Sequence, residues 1–335
     1  MKQVTLIKVI LLLVVSLLVT SALAQPQGRG RGAYGDWVIK SEFGGRTMES
    51  ILSFYRDQEG NRTAYWISFM GMNELQNLTF EEGNLSFTQT RRGRNGETSE
   101  SKFTGTIEEG VLTGTMSSTR GEYELTGKRA PRMSRVAGQW EMKYKMGERE
   151  ITSMLIIKAD AEGNLSAEMP SDRVENTISN ITLENRTDLS FKRTIKVQDR
   201  EFEMTFSGTL QRNEMSGTFK SERGEIPATA TRKAADLIGT WNLDLSSENR
   251  ERKQRLVINP DLSALYGSML IKAITLDGDK VSFKIVMKFG ERTFEMDFAA
   301  TVAESKLTGE LISTNRTQKV TGTKVVRRRG SRNAR

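Results

Sequence analysis

Histidine and cysteine are both absent from the 335-residue sequence. Without histidine, the chain cannot form a Ser-His-Asp or Cys-His arrangement, and it lacks the commonest general base of enzymes. Without cysteine, it has no disulfide framework, no thiolate zinc site and no N-terminal cysteine that could be acylated. The sequence also lacks a P-loop, a Gly-x-Gly-x-x-Gly turn and a His-Glu-x-x-His motif. We therefore expect no catalytic residue, no metal and no cofactor.

The first segment is typical of a secretory signal peptide. Lys2 and Lys8 precede the apolar run VILLLVVSLLV, and an Ala-x-Ala exit ends at Ala24. This pattern predicts a signal peptide over residues 1–24, cleaved after Ala24, and a Gly/Arg leader over 25–34. The alternative is an uncleaved anchor, but the apolar run is shorter than the roughly 20 residues that span a bilayer. We expect a periplasmic or secreted bacterial protein with no transmembrane span after cleavage.

The net charge is positive, and much of it lies near the C-terminus. The full chain carries +8, which becomes +6 when Lys2 and Lys8 leave with the signal peptide. Five arginines lie in the tail 327–335, RRRGSRNAR. Such a tail can bind an anionic surface or polymer by releasing counterions. A solvated tail without a partner explains the same composition more simply.

A Gly-x-Trp sequence opens three similar segments. Its copies are GDWVIKSEF, GQWEMKYKM and GTWNLDLSS, and their tryptophans are 103 and 101 residues apart. The segments also end alike, in runs related to LTGT. A period near 100 residues is too long for a solenoid repeat and predicts tandem domains. We assign barrel domains to 35–130, 137–232 and 237–326, and we place the deletion that shortens the third copy in its middle loops.

Within each segment, apolar and polar residues alternate. In the second copy, Trp140, Met142 and Tyr144 share one face, while Glu141 and Lys143 occupy the other. Turn signals separate such runs every 8 to 12 residues or so. We therefore predict an all-β fold of three tandem eight-stranded antiparallel up-and-down barrels. A two-sheet sandwich is the alternative, whereas charged residues on the outward faces argue against one 24-stranded membrane barrel.

The Gly-x-Trp start of an eight-stranded meander resembles the lipocalins and other calycin-like barrels, including lipocalin-like repeats of secreted bacterial proteins. In lipocalins, this tryptophan closes one barrel end, and a basic residue from the last strand packs across it. The chain departs from lipocalins in lacking a Thr-Asp-Tyr motif and a disulfide. The resemblance implies three barrel-closure pairs, which are Trp37 with Arg129, Trp140 with Arg232, and Trp241 with Lys324.

Polar residues on inward faces are candidate binding residues, because each needs a partner or a wet cavity. Arg193 shares a face with Leu189, Phe191 and Ile195, which predicts a guanidinium inside the second barrel. The alternatives for Arg193 are a buried ion pair with a neighbouring carboxylate and a solvated position at the barrel end. The matching face of the third domain is apolar, so we expect a filled core there.

The first domain offers a second set of candidates. Gln89 and Arg91 continue the inward face of their strand, and Trp66 is the one tryptophan outside the repeated position. Tyr144, which shares a strand face with Trp140 in the second domain, is a further candidate. The candidate ligand-binding residues are Trp66, Gln89, Arg91, Tyr144 and Arg193.

These features favour a non-enzymatic secreted or periplasmic binding or interaction protein that is a monomer. The expected partner is a small amphipathic molecule in a barrel cavity. One alternative is an accessory or structural envelope protein without a small ligand. Another is a lyase or isomerase that uses Glu, Asp, Tyr or Lys in a barrel cavity. Carboxylate pairs such as Glu201 and Glu203 fall on a strand face that the alternation predicts to be solvated, so they do not favour an enzyme.

Overall fold

The computed structural model describes residues 33–325, apart from 44–45, 58, 94–95, 132, 161, 249 and 290–291. The predicted signal peptide, most of the leader and the basic tail lie outside the described residues. The described part contains 25 β-strands and no helix, and hence no helix that could cross a membrane. Its strands form three antiparallel sheets within one compact unit that begins at Gly35. This architecture confirms the prediction of three tandem up-and-down barrels.

Barrel 1 is a closed ring of eight strands in sequential order. Its first strand pairs with the second and the eighth, so that Trp37 lies opposite both Leu52 and Arg129. Closure of this kind leaves no sheet edge unpaired. The strands are β1 (Gly35–Phe43), β2 (Arg46–Arg56), β3 (Arg62–Ser68), β4 (Gly71–Glu81), β5 (Asn84–Arg92), β6 (Thr98–Glu108), β7 (Val111–Ser118) and β8 (Gly121–Arg129).

Barrel 2 repeats this order but is not sealed by hydrogen bonds. Its sheet begins at β11 and ends at β12, and these two edges do not pair in the described residues. The two strands are neighbours along the barrel wall that no strand pairing joins in this part of the chain. The strands are β9 (Gly138–Met146), β10 (Arg149–Ala159), β11 (Leu165–Glu168), β12 (Glu175–Glu184), β13 (Asp188–Val197), β14 (Arg200–Gln211), β15 (Glu214–Ser221) and β16 (Gly224–Arg232).

Barrel 3 is a nine-stranded open sheet whose edges are β20 and β21. Three strands of three residues each stand where the other barrels have their third and fourth strands. The shortening of the third repeat thus falls on strands, whereas the sequence had suggested loops. The strands are β17 (Gly239–Ser247), β18 (Arg250–Ile258), β19 (Ala264–Tyr266), β20 (Met269–Ile271), β21 (Thr275–Asp277), β22 (Lys280–Phe289), β23 (Arg292–Ala303), β24 (Lys306–Ser313) and β25 (Arg316–Lys324).

A stacked pair of phenylalanines occupies the same place in each core. In barrels 1 and 2, glycines of the paired late strands lie beneath the rings, and a Cβ atom on Gly105 would stand 2.6 Å from Phe103 Cζ. Those glycines therefore make room for an aromatic ring. The ring centroids are 4.7 Å apart for Phe87 and Phe103, 4.9 Å for Phe191 and Phe206, and 4.5 Å for Phe283 and Phe298.

Matching bulges mark the fourth strands of barrels 1 and 2. The pairing registers of β4 and β12 shift around Asn77 and Asn180, whose φ angles are 51° and 53°. Asparagine tolerates this left-handed conformation better than most residues. The two Asn-x-Thr sequences at these positions are thereby explained by backbone geometry, and the bulges give a reference point for matching residues between the barrels.

The turn between β3 and β4 of barrel 1 packs onto barrel 3. Gln254 shares the inward face of β18 with Leu256 and is fully buried. Its Nε2 donates to the carbonyl oxygens of Ser68 at 3.0 Å and Phe69 at 3.2 Å. Arg252 donates from Nη1 to the carbonyl oxygen of Met70 at 3.1 Å. The interior of barrel 3 is therefore less apolar than expected, since these polar side chains bind the turn of another barrel.

A second contact between barrels 1 and 3 is ionic. Arg255 is 4% exposed, and its Nη1 lies 3.3 Å from Oδ1 of Asp36 and 3.1 Å from Oγ of Ser53. Ser53 in turn donates to Oδ1 of Asp36 at 2.6 Å. Because a buried guanidinium needs an opposite charge close by, this cluster ties the start of β1 to β18.

Candidate functional site

Each barrel has a cation over the ring of its repeated tryptophan. The two residues of each pair lie directly opposite each other on the first and last strands, and each tryptophan is fully buried. Contacts of this type contribute about 0.5–2 kcal/mol. The geometry is that of a barrel-end contact, with no face of the indole open to a ligand. Distances to the ring centroid are 4.4 Å for Arg129 over Trp37, 4.1 Å for Arg232 over Trp140, and 5.4 Å for Lys324 over Trp241.

The glycine of Gly-x-Trp is required by this contact. Gly138 has φ +133°, and a Cβ atom there would stand 2.6 Å from Nη1 of Arg232. Gly35 and Gly239 have φ +115° and +138° at the matching positions. These angles favour glycine, and the missing side chain leaves room for the cation. The Gly-x-Trp motif thus supplies both the glycine and the tryptophan of this contact.

Barrel 2 contains two buried arginines, Arg232 and Arg193, which differ in their hydrogen-bond partners. Arg232 donates to the carbonyl oxygens of Ala137 and Arg135, which suits a residue that seals a barrel end. Burial lowers the pKa of Arg232 to about 10, so the side chain remains charged near neutral pH. The indole ring of Trp140 and these two carbonyl oxygens replace the water that the guanidinium of Arg232 loses on burial.

Arg193 lies further inside the same barrel, on β13. It is 4% exposed. Its Nε and Nη2 donate to Oδ1 of Asn176 at 3.0 and 2.8 Å, and its Nη1 donates to the hydroxyl of Tyr144 at 2.8 Å. The same hydroxyl lies 3.3 Å from Oγ of Ser153. A guanidinium has five N–H donors, so these three bonds leave two donors for another acceptor.

The partners of Arg193 are all neutral. Among the described residues, no carboxylate forms an ion pair with it, unlike Arg255 with Asp36. The ion pair with a carboxylate that the sequence left open is therefore not found in the described structure. A buried cation without a counterion is costly, because neutral groups replace only part of its hydration. An anionic ligand would lower that cost.

A cavity of about 1160 Å³ opens beside Arg193. Tyr144, Asn176 and Arg193 all line it. It lies at the end of the barrel that holds the hairpins β9–β10, β13–β14 and β15–β16 and the connection between β11 and β12. Tyr144 follows Trp140 by four residues, or about 13 Å along an extended strand. The cavity thus lies at the end opposite the Trp140–Arg232 contact, and its volume is slightly above the roughly 300–1,000 Å³ typical of small-molecule sites.

The rim of this cavity carries charges of both signs that partly pair with one another. Lys192 and Glu203 lie 2.7 Å apart, and Lys220 pairs at 2.9 Å with Glu225. These side chains are exposed to solvent, so their interactions are weak. The described residues contain no group of acidic side chains arranged to hold a metal ion. Among the charged side chains that line the cavity, Arg193 is thus the buried one.

The candidates in barrel 1 are placed differently from one another. Trp66 is 3% exposed, with its ring 6.3 Å from that of Phe87, so it belongs to the core. Gln89 is fully buried. Arg91 is exposed, although the alternation puts it on the same face as Gln89. It lies at the end of β5, where the barrel wall stops and an inward-facing position reaches solvent.

Sequence reasoning missed Asn176 and Ser153. Asn176 precedes Ile178 by two residues on β12, so the alternation that identified Arg193 could also have placed it on the inward face. Ser153 lies opposite Met142 on β10, inside the same wall. Neither has a distinctive motif, and only the closed sheet brings both next to the phenol of Tyr144.

Comparisons with known proteins give fold-level likeness alone. No family model matches the chain, and no curated protein matches it in sequence. Among solved structures, a provisionally assigned outer membrane protein of Bacteroides fragilis is 16% identical, with a TM-score of 0.23, over 59% of this chain and 96% of that one.

Two further solved structures cover more of this chain, at lower TM-scores. Transferrin binding protein B of Haemophilus parasuis is 10% identical, with a TM-score of 0.20, over 87% of this chain and 75% of that one. A DUF3598-family protein of unknown function from Nostoc punctiforme is 10% identical, with a TM-score of 0.16, over 88% and 96%. Values this low assign neither a ligand nor a function to the chain.

Proposed function

We propose that this chain is a non-enzymatic binding protein of the bacterial periplasm or exterior, and that barrel 2 holds a small amphipathic anion. In this proposal the anionic group contacts Arg193, while the apolar part lies along the cavity wall. The basic tail 327–335 is not needed for this binding, and the protein acts as a monomer.

The observation that carries the proposal is the buried, unpaired charge of Arg193 in a cavity of ligand size. Tyr144 and Asn176 hold the guanidinium in place, and two of its N–H donors stay free for a carboxylate or sulfonate. Apolar side chains supply part of the remaining surface, beside charged residues of both signs such as Glu150, Glu201 and Arg223. The apolar side chains include Met154, Met169, Ile195, Met204 and Ile226.

An enzymatic function receives less support from the same geometry. Acid-base catalysis needs a proton donor or acceptor within hydrogen-bond reach of the reacting group. The hydroxyl of Tyr144 contacts Arg193 and Ser153, and neither hydrogen bond involves a carboxylate. A purely structural envelope protein is the remaining alternative, and it predicts that no amphiphile binds.

The proposal is tested by calorimetric titration of the chain lacking residues 1–24 with dodecanoate and, separately, with dodecanol. Each hydrogen bond to a charged group contributes about 1.5–3 kcal/mol. We therefore expect Arg193→Gln to weaken dodecanoate binding by about 10- to 100-fold and to change dodecanol binding little.

Arg120→Gln is the matched control, because it makes the same charge change at an exposed turn of barrel 1. This variant should bind dodecanoate like the unchanged protein. Equal loss in both variants would point to a nonspecific charge effect, and no binding of dodecanoate to the unchanged protein would favour the structural alternative. Circular dichroism of each variant verifies that the β-sheet is intact.

A further inference from the structure

Barrel 1 contains a buried amide without a partner. Gln89 is 0% exposed, and neither its Nε2 nor its Oε1 forms a hydrogen bond with the described residues. A primary amide can donate two hydrogen bonds and accept two. Buried polar side chains in proteins nearly always have a hydrogen-bond partner, either a protein group or ordered water. Gln89 is therefore a candidate contact for something that enters barrel 1.

Gln89 occupies the same place in barrel 1 as Arg193 in barrel 2. The strand β5 reads Leu-Ser-Phe-Thr-Gln and β13 reads Leu-Ser-Phe-Lys-Arg, ending on these two residues. Each lies opposite an apolar residue one step before the bulge of the neighbouring strand, Leu75 for Gln89 and Ile178 for Arg193. The matching residue of barrel 3 is Ile285, which is fully buried. One position thus carries an amide, a cation and an apolar side chain in the three barrels.

The surroundings of this position also differ between the barrels. Tyr144 follows Trp140 by four residues, and the residue four positions after Trp37 is Ser41. Barrel 1 therefore has no phenol at the place where Tyr144 accepts from Arg193. Because serine is much smaller than tyrosine, it cannot reach as far into the barrel. The phenol that accepts from Arg193 in barrel 2 thus has no counterpart in barrel 1, while Asn73, which matches Asn176 at the 103-residue offset, forms no hydrogen bond with Gln89.

Gln89 is also close to the end of its barrel. Arg91, two residues further along β5, is exposed to solvent. Two residues of an extended strand span about 6.6 Å. The Gln89 amide therefore lies one inward-facing position below the barrel end at which Arg91 reaches solvent.

We propose that barrel 1 is a second binding site, for a neutral molecule whose polar group both donates and accepts hydrogen bonds at Gln89. A carboxylic amide or an alcohol has this chemistry. An anion fits less well, because the amide of Gln89 carries no charge to replace lost hydration and Arg91, on the same face, is exposed to solvent. The chain would then hold two sites of different charge selectivity, built at one repeated position. This inference is independent of anion binding by barrel 2.

The test uses hexanamide and hexanoate as probes with the chain lacking residues 1–24, observed through backbone amide signals in NMR titrations. We expect hexanamide to shift signals of β4, β5 and β6 and hexanoate not to do so. Gln89→Met, which keeps the side-chain volume nearly constant, should weaken hexanamide binding at least about tenfold. Arg193→Gln should leave hexanamide binding unchanged and thus separates this site from the one in barrel 2.

A crystal structure of the unchanged protein with hexanamide supplies a second measurement that needs no variant. Density for the probe beside the Gln89 amide supports the proposal. Density for water alone at that amide in the presence of hexanamide overturns it, as does hexanamide binding that Gln89→Met leaves unchanged. Greater thermal stability of Gln89→Met together with no hexanamide shift also contradicts the proposal, because the amide would then have no partner at all.

Discussion

The contact between Asp36 and Arg255 is expected to hold barrel 1 on barrel 3, and a double-mutant cycle measures it. Arg255 is 4% exposed, and the Asp36 side chain is 23% exposed. Removing one partner of a fully buried pair costs roughly 3–5 kcal/mol. Since Asp36 keeps some contact with water, we expect Asp36→Asn to lower the free energy of unfolding by about 2–3 kcal/mol.

Arg255→Met removes the charge that Asp36 compensates. The double variant should therefore be less destabilised than the sum of the two single variants, with a coupling free energy of about 1.5–2.5 kcal/mol. Urea unfolding monitored by tryptophan fluorescence provides all four values, because Trp37 and Trp241 report on the two barrels involved. The pair Lys192 and Glu203 is the control, since both residues are exposed and should couple by less than about 1 kcal/mol. A coupling between Asp36 and Arg255 below about 0.5 kcal/mol would refute the docking of these barrels through this contact.

Two further predictions concern single barrels. Arg232→Met should destabilise barrel 2 by about 2–4 kcal/mol, because the carbonyl oxygens of Ala137 and Arg135 lose their donor and Trp140 loses its cation; thermal unfolding that is unchanged would contradict the closure role. In the turn between β10 and β11, the side-chain hydrogen bond from Asn164 lowers the pKa of Asp160 below 3.8, with further lowering by backbone N–H groups. Because the folded pKa is the lower one, the turn is stabilised by the ionised carboxyl above about pH 3.8 and loses this contribution as the pH falls through the folded pKa. NMR titration should show the pKa of Asp160 rising in Asn164→Ala, and an unchanged pKa would show that this hydrogen bond is absent in solution.

The repeats and strand alternation were enough to predict the fold, because each barrel buries every second residue of each strand. The closure pairs were also accessible, since Trp37 and Arg129 mark the two ends of one repeat. The open side of barrel 3 was not predicted. It lies between the three-residue strands β20 and β21, and so short a run carries too few residues for an alternating pattern to be read.

The candidate site was predicted only in part. Alternation placed Arg193 and Gln89 inside their barrels, but it gave the same direction for Arg91, which is exposed. A period of two specifies a face and not the distance from the barrel end. It also gave no indication that Asn176 would contact Arg193, because residues that meet across a barrel are unrelated in sequence.

The central claim, that Arg193 receives an anionic group inside barrel 2, is tested most directly by a crystal structure of the protein with dodecanoate. The account predicts the carboxylate within about 3 Å of Arg193 Nη1 or Nη2, with the alkyl chain along the cavity wall. Dodecanoate bound elsewhere, with the Arg193 guanidinium still in contact with protein groups alone, would contradict it.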